Sequence, residues 1–497
     1  MINLLEEIDL LKKTLNGEVV LLPPYFLEER EVNEKIQASV DCQSPCFDKS
    51  VSLSEPDWMI LGEKLHHPEN LDESGRSIQV RVGLDFGSAF TKVVIRVGQY
   101  FVPVKWSDAF RGRKGGGEYV LPGIVCCNSL GNYKWTNEEG YDKKGDLKIP
   151  LLSSEAHMES KVASVAFLAL VLRYARAYLY RDKELSALLS VRKLRWSLSI
   201  GCPTKPHENP EVVAVLKSIA KLAWHFSMQK IINDKTVQEF WPIVDSLDLG
   251  LEEDPLVVPE FVAQISGYLK SNQKRNGLHA MVDIGAGTLD VATFNIFKNK
   301  NDDESEFKAT LFYSSVEQNG VHFLQKNRCD SLNMKLSWDN TQKLESSRVF
   351  AKRVGAYVEE VEDVDAKFVE KVAKQIGETL NFTKSNKRGD PTSKAWSTSL
   401  PVFITGGGAN SYIYNQAIEK AEEYIRRNST NKKFAFTKLP VSVDFKELTI
   451  DKGRMTVAYG LTESTEDLIS YCEHSQVLPL ILGVAREKKE HVELYGD

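Results

Sequence analysis

Three apolar segments of the chain each contain or end in a short glycine-bearing turn, at residues 82–95, 279–294 and 401–410. In the first two, β-forming residues stand on both sides of the turn, a pattern that predicts strand, tight turn and strand. The third segment is an apolar strand pattern that runs into three glycines, and residues 412–427 after it predict a helix. The pattern therefore predicts two hairpins and one strand-to-helix turn.

The remaining pattern predicts strands and helices in alternation, which is typical of an α/β protein. After the first hairpin, a long apolar helix is predicted over residues 159–182, a strand over 194–200 and a helix over 210–226. A further helix is predicted over 259–268, and the clearest helix beyond the second hairpin covers 365–380.

The first turn carries groups that suit an anionic ligand. Gly87 lets the backbone approach a ligand closely, successive amides in such a turn form a concavity for anionic oxygens, and the Ser88 hydroxyl adds a donor. Asp85 would repel a phosphate unless a cation lay between them, so its presence indicates Mg²⁺. Lys92 would meet phosphate as a point charge. Taken alone, this Asp-x-Gly-Ser turn is more often a plain hairpin.

The two later segments favour a ligand-binding turn over a plain hairpin. Asp283 begins a second turn of the same design, which continues through Gly285, Gly287 and Thr288. The glycines at 406–408 precede a helix, and such a turn lets a flat ligand lie against bare backbone near the helix N-terminus.

Simpler nucleotide folds are excluded by spacing. The chain contains no G-x-x-x-x-G-K-[ST] motif, and Gly285-x-Gly287 lacks the third glycine of a dinucleotide-binding turn and enters a strand instead of a helix. No His-Glu-x-x-His or nucleophile-elbow pattern is present either.

Length and composition limit the number of domains, the kinds of partner and the cellular compartment that can be expected. With 497 residues the chain is long enough for two or three domains, and a net charge of −6 gives no field that attracts nucleic acid or an acidic membrane. Seven cysteines without framework spacing favour a reducing compartment. The most apolar stretch, 162–172, is shorter than the roughly 20 residues that span a bilayer. We expect a cytoplasmic protein without a membrane span or a nucleic-acid partner.

In this order, the three turns resemble the phosphate-1, phosphate-2 and adenosine motifs of the ATPases that include actin, the heat-shock chaperone ATPase domain and the sugar kinases. The resemblance implies an actin-like fold of two ribonuclease-H-like α/β lobes with nucleotide in the cleft between them. It divides the chain into an N-terminal extension of mixed helix and loop (1–79), lobe I (80–280), lobe II (281–450), and a helix returning to lobe I with a tail (451–497).

The resemblance also implies ATP or ADP with Mg²⁺ as ligands. Asp85 and Asp283 would meet a hydrated Mg²⁺, which needs only one or two carboxylates beside the phosphates. The residues expected to bind nucleotide are Asp85, Gly87, Ser88, Ala89, Lys92, Gly285, Ala286, Gly287, Thr288, Gly406, Gly407, Gly408 and Asn410.

Four residues are expected to carry phosphoryl transfer, which needs mainly positioning and charge stabilisation. Asp283 would hold a metal-bound or attacking water, Thr288 would contact the γ-phosphate, and Lys92 would offset charge on the leaving phosphates. Glu260 would orient the attacking water, with Gln264 as the second candidate. An equal alternative for Glu260 is a surface carboxylate that complements the dipole of its helix.

The branch of the superfamily stays open at this point. The Gly-Thr-Leu-Asp-Val run at 287–291 resembles the chaperone branch, whereas Lys92, seven residues after Asp85, resembles actins and plasmid-segregating actin homologues. The residues after 461 are too few for the chaperone's peptide-binding β-sandwich domain.

The first functional hypothesis is a hinge-closing ATPase switch that acts on a partner protein, through residues 1–79. There, Leu4, Ile8, Leu11 and Leu15 form a helical stripe that would dock on the protein itself or bind a partner. The alternatives are a filament-forming actin homologue, a nucleotide-binding scaffold that hydrolyses poorly and, less favoured, a small-molecule kinase.

Overall fold

The computed structural model of the chain describes residues 52–66, 76–110, 115–153, 155–271, 274–298, 307–334, 344–427, 434–439, 443, 445, 451–464 and 470–472. The helical stripe predicted near the N-terminus lies outside these residues. The described part of the chain is mixed α/β, as the pattern predicted, with three sheets and helices packed around them.

The first sheet is built around a three-stranded antiparallel meander. Its strands are β1 (Ser77–Phe86), β2 (Phe90–Val97), β3 (Tyr100–Pro103), β4 (Leu121–Pro122), β8 (Lys193–Cys202) and β10 (Leu256–Pro259). Their order is β3-β2-β1-β8-β10, with β4 also paired to β2. β8 runs parallel to β1, and β10 runs parallel to β8. Because parallel neighbours need crossover connections, helices must cover this sheet.

The second sheet has the same strand order as the first. Its strands are β11 (Gly277–Ile284), β12 (Leu289–Lys298), β13 (Phe307–Glu317), β14 (Ser399–Thr405), β15 (Ala435–Lys438) and β16 (Ser470–Cys472). The meander β11-β12-β13 is antiparallel, β14 and β15 follow in parallel on the other side of β11, and β16 adds a parallel strand to β13. The chain therefore repeats one five-stranded topology, to which β4 is added in the first sheet and β16 in the second.

A smaller sheet lies beside the first one. It contains β5 (Val125–Asn128), β6 (Asn132–Lys134), β7 (Tyr141–Lys144) and β9 (Ile232–Asn233), in the order β7-β5-β6-β9.

The helices of the described residues are α1 (Met158–Tyr180), α2 (Ser186–Leu189), α3 (Thr204–His207), α4 (Pro210–Phe226), α5 (Asp234–Phe240), α6 (Glu260–Lys270), α7 (Val321–Ser331), α8 (Ser347–Val354), α9 (Val358–Ser385), α10 (Tyr412–Arg427) and α11 (Lys452–Gly460). Helix α4 has the predicted bounds, because Pro210 suits the first helical position and the Asn209 side chain accepts a hydrogen bond from the Glu211 amide. By length and composition α1 resembles a membrane span, but it is almost wholly buried inside the protein.

Helices α6 and α11 lie between the two large sheets. The apolar side chains of α6 pack on β11, β12 and β14, and α11 touches β1 and β2 of the first sheet as well as β14 of the second. Two glycines permit this close packing. A Cβ atom on Gly460 would lie 1.8 Å from the Ala263 carbonyl oxygen of α6, and one on Gly83 would lie 2.2 Å from the Ala458 carbonyl oxygen of α11.

Residues 52–66 belong to the core of the first sheet, although the sequence placed everything before residue 80 outside the ATPase lobes. They include a 3₁₀ helix, Asp57–Glu63, which packs on α1. Arg176 of α1 donates a hydrogen bond to the Gly62 carbonyl, and the Trp196 indole donates to the Leu65 carbonyl over 2.7 Å. This part of the extension is thus occupied by contacts within the chain.

Gly62→Ala is expected to destabilise the protein by about 1–3 kcal/mol, the usual cost of overpacking a close contact. A Cβ atom at this position would lie 1.9 Å from the Arg173 carbonyl oxygen, which belongs to the rigid backbone of α1. The measurement is the free energy of unfolding in urea. Gly453→Ala is the matched control, since its Cβ would meet its nearest neighbour at an ordinary 3.5 Å. Equal stability of the two variants would contradict this packing.

Candidate functional site

The two aspartate-glycine turns have the same local geometry. The Gly87 amide donates to the Phe90 carbonyl over 3.1 Å, and the Gly285 amide donates to the Thr288 carbonyl over 2.9 Å. Each turn closes the hairpin between the first two strands of its sheet, which is the same topological position in both sheets. In the hairpin register, Asp85 lies opposite Lys92 and Asp283 lies opposite Asp290.

These turns face each other, although they are far apart in the chain. A Cβ atom built on Gly287 would lie 3.6 Å from the Cβ and 3.7 Å from the Oγ of Ser88. Ile149, from the 3₁₀ helix Ile149–Leu151, reaches the same point, with its Cδ1 atom 3.5 Å away. The sequence-predicted turns are therefore brought together at one place.

The N-terminus of α7 fixes the orientation of the second turn. The amides of Gly320, Val321 and His322 donate to the carbonyl oxygens of Gly287, Gly285 and Ala286 over 3.3, 3.2 and 2.8 Å. In a planar trans peptide, the N–H of the next residue points opposite to the carbonyl. The amides of residues 286–288 therefore point away from α7, and consecutive amides in such a turn can receive anionic oxygens.

The glycine turn after β14 lies against Asp283. Gly406 adopts a left-handed backbone with φ of +84°, and a Cβ atom on it would lie 2.3 Å from Asp283 Oδ1. A side chain is thus excluded here twice, by backbone conformation and by space. The Gly408 amide donates to the Ile284 carbonyl over 3.0 Å, which ties the two loops together. Gly407 and Asn410 are exposed within and just after the same turn.

A chain of hydrogen bonds connects Asp283 to the end of β14. The Gln264 amide nitrogen on α6 donates to Asp283 Oδ2 over 2.6 Å, and the Thr405 hydroxyl donates to the Gln264 amide oxygen over 3.0 Å. Because the hydroxyl occupies the oxygen end of the amide, Gln264 presents its nitrogen to the carboxylate. Gln264, the second candidate in the sequence, is therefore the α6 side chain that contacts Asp283.

Glu260, the first candidate, is held in an ion pair. Lys148 Nζ lies 2.6 Å from Glu260 Oε1, and the lysine side chain is only 4% exposed. Burial alone would lower the pKa of Lys148, but the negative charges of Glu260 and Asp85 outweigh it, and the pKa is raised. Lys148 was missed in the sequence. Its signal was a single lysine between apolar neighbours, Leu147 and Ile149, in a short segment.

Carboxyl groups outnumber lysines at the site. Lys92 Nζ lies 2.5 Å from Asp85 Oδ2, so this carboxylate also has a lysine partner. Desolvation, followed by the charge of Glu260, raises the pKa of Asp283 to about 6. The same two causes raise the pKa of Asp290 well above its usual range, and its buried Oδ1 atom has no hydrogen-bond partner. Four carboxyl groups thus share two lysines.

This donor set fits a hydrated divalent cation better than a bare one. In the part of the chain that the structure describes, no group of three or more His, Cys, Asp or Glu side chains is arranged to hold a metal ion by itself. Mg²⁺ keeps several water ligands and is commonly bound through one or two carboxylates and phosphate oxygens. The orphaned oxygen of Asp290 and the excess of carboxyl groups over lysines are compatible with Mg²⁺ bound in that way.

Comparison with known proteins finds similarity to solved structures alone. No family model matches the chain, and no curated protein matches it. Among solved structures, the crystal structure of MreB5 of Spiroplasma citri bound to ADP matches at 15% identity, covering 77% of this chain and 94% of that one, with a TM-score of 0.40. A likeness of this degree carries no inference about activity or ligand.

Asp283→Asn is expected to stabilise the ligand-free protein at about pH 7.5 and to change little near about pH 4. The folded-state pKa of about 6 exceeds the usual value of 3.8, so the folded protein binds this proton more tightly than the unfolded chain does. The stabilisation from the protonated carboxyl is complete below the unfolded value and is lost as the pH rises through 6. Asparagine needs no proton to remain neutral.

The measurement is the unfolding midpoint of both proteins across this pH range. Exposed Asp142 provides the matched control, as Asp142→Asn leaves the buried cluster intact. A constant difference between Asp283→Asn and wild type at every pH would contradict the proposed titration.

Proposed function

We propose that the chain is an actin-like ATPase that binds Mg-ATP between two lobes, each built on one of the two large sheets. The observation that carries this proposal is the pairing of the aspartate-glycine turns. They occupy the same topological position in two sheets of equal strand order, and they meet face to face. A triphosphate bound between them would be held from both sides.

In this proposal two of the turns hold phosphates and the third holds the nucleoside. The turns at 87–89 and 285–288 hold the β- and γ-phosphates with backbone amides, and the Ser88 and Thr288 hydroxyls add side-chain donors. The glycine turn at 406–408 leaves bare backbone for the nucleoside. Asp85 and Asp283 receive Mg²⁺ through its water ligands, and the metal supplies charge neutralisation of the phosphates when it is bound.

The residues around Asp283 suit the handling of a proton. A carboxyl group with a pKa of about 6 is largely ionised near neutral pH, yet it is basic enough to accept a proton from an attacking water. Gln264, whose orientation is fixed by Thr405, contacts this carboxylate and is our candidate for orienting the water. Glu260 then acts through its ion pair, which keeps the positive charge of Lys148 near Asp85.

Hydrolysis would change how firmly the two lobes are held together. Helices α6 and α11 pack on both sheets, so they are the elements through which loss of the γ-phosphate would alter the hinge. We propose that this change acts on a partner protein from a cytoplasmic location. Our candidate surface for that partner is the part of the extension before residue 52, since the 3₁₀ helix Asp57–Glu63 is packed on α1. A filament-forming homologue, a poorly hydrolysing scaffold and a kinase remain the alternatives.

Asp85→Asn and Asp283→Asn are each expected to lower the rate of ATP hydrolysis about 100-fold, because each removes a charge needed at the metal or the water. Phosphate release is measured with Mg-ATP and no added acceptor, and Asp142→Asn is the control that should keep wild-type activity. Wild-type rates in both site variants would reject the assignment.

Three further results separate the alternatives. Strict dependence of turnover on an added acceptor would favour the kinase. Sedimentation of the full chain with ATP would favour the filament. Tight nucleotide binding without turnover would favour the scaffold.

A further inference from the structure

Arg454 lies between the first turn and the glycine turn. It is the third residue of α11, and its guanidinium carbon is 5.4 Å from the centre of the Phe90 ring, which ends the first turn. A Cβ atom built on Gly407 would lie 3.6 Å from Nε and 3.7 Å from Nη2 of the same arginine. One guanidinium therefore contacts both walls of the candidate site.

The positive charge of this arginine is only partly offset by its surroundings. Its buried Nε atom has no hydrogen-bond partner, and it forms no ion pair among the described residues. Burial lowers the pKa of Arg454, and the negative charges of Asp451 and Asp85 only partly oppose this. Asp85 is already paired with Lys92. A partly buried cation left in this state carries a desolvation cost that an anionic ligand would offset.

We propose that Arg454 binds the phosphate group nearest the nucleoside, a contact that ADP, ATP and AMP would all make. The inference rests on the proposed nucleotide site. The glycine turn holds the nucleoside in that proposal and the turn at 87–89 holds the outer phosphates, so a guanidinium touching both walls faces the link between them. The planar fork of arginine suits two phosphate oxygens, and the aromatic ring of Phe90 supports its face.

The arginine could instead stack on the base, because guanidinium groups also pack on aromatic faces. The two roles differ in what they require of the ligand. A phosphate contact is lost with adenosine, which has no phosphate, whereas a stacking contact is kept. Comparing ADP, AMP and adenosine therefore separates them.

The test is calorimetric titration of the full chain with ADP, AMP and adenosine in Mg²⁺, for wild type and Arg454→Met. Methionine keeps the apolar packing on Phe90 and removes the charge. We expect the affinities for ADP and AMP to fall about 10- to 100-fold, as for loss of a charged hydrogen bond, with that for adenosine unchanged. Arg427→Met, at an exposed position on α10, is the control and should bind as wild type does.

Other results of the titrations would overturn the phosphate contact, and one of them would reject the nucleotide site as well. Equal losses for all three ligands would overturn the phosphate contact in favour of packing or stacking, and a loss for ADP alone would move the contact to the outer phosphate. Unchanged affinities would overturn the inference while leaving the nucleotide site intact. A wild-type chain that binds none of the ligands would reject the proposed function itself. If Arg454→Met fails to fold, Arg454→Lys should still show a several-fold loss for ADP and AMP with adenosine unchanged.

Discussion

Carboxyl groups are crowded together where the two large sheets meet. The surrounding structure has to hold these groups close to one another. Asp283 and Asp290 lie opposite each other in one hairpin, and like charges in that arrangement repel. Glu260 adds a third charge, and the raised pKa of Asp283 reflects both burial and this neighbour. Such a cluster is unfavourable unless the surrounding fold holds it and a cation or proton relieves it. Lys148 and Lys92 relieve part of it, and bound Mg²⁺ would relieve more.

The fold holds this cluster through close backbone packing. Gly460 brings α11 against α6, and Gly83 brings β1 against α11, so the two sheets share one pair of helices. Gly406 leaves room for Asp283 at the end of β14. In each of these places a side chain would collide with a neighbouring atom. Glycine therefore has two roles here. Some glycines lie in the predicted ligand-binding turns, and others allow helices and strands to pack closely enough to position those turns.

Features set by residues close together in the sequence could be predicted, and features set by contacts between distant residues could not. Local patterns predicted both hairpins and helices α4 and α10, because turn residues and periodicity act over a few positions. The pairing of Lys148 with Glu260 joins residues 112 positions apart, and periodicity carries no information about such contacts. The docking of residues 52–66 was missed for the same reason. The placement of Arg454 between two turns depends on three segments at once, so its helix was predicted but its role was not.

If three distant turns converge on one nucleotide, hydrogen exchange measured by mass spectrometry should detect the bound ligand at all three of them. With Mg-ADP added to the full chain, peptides covering 85–91, 283–290 and 405–409 should gain protection together, at the same ligand concentration. The smaller sheet, followed in peptides over 125–144, serves as an internal reference and should stay unchanged. Protection confined to one turn, or none in all three, would contradict the convergence of the turns on one nucleotide.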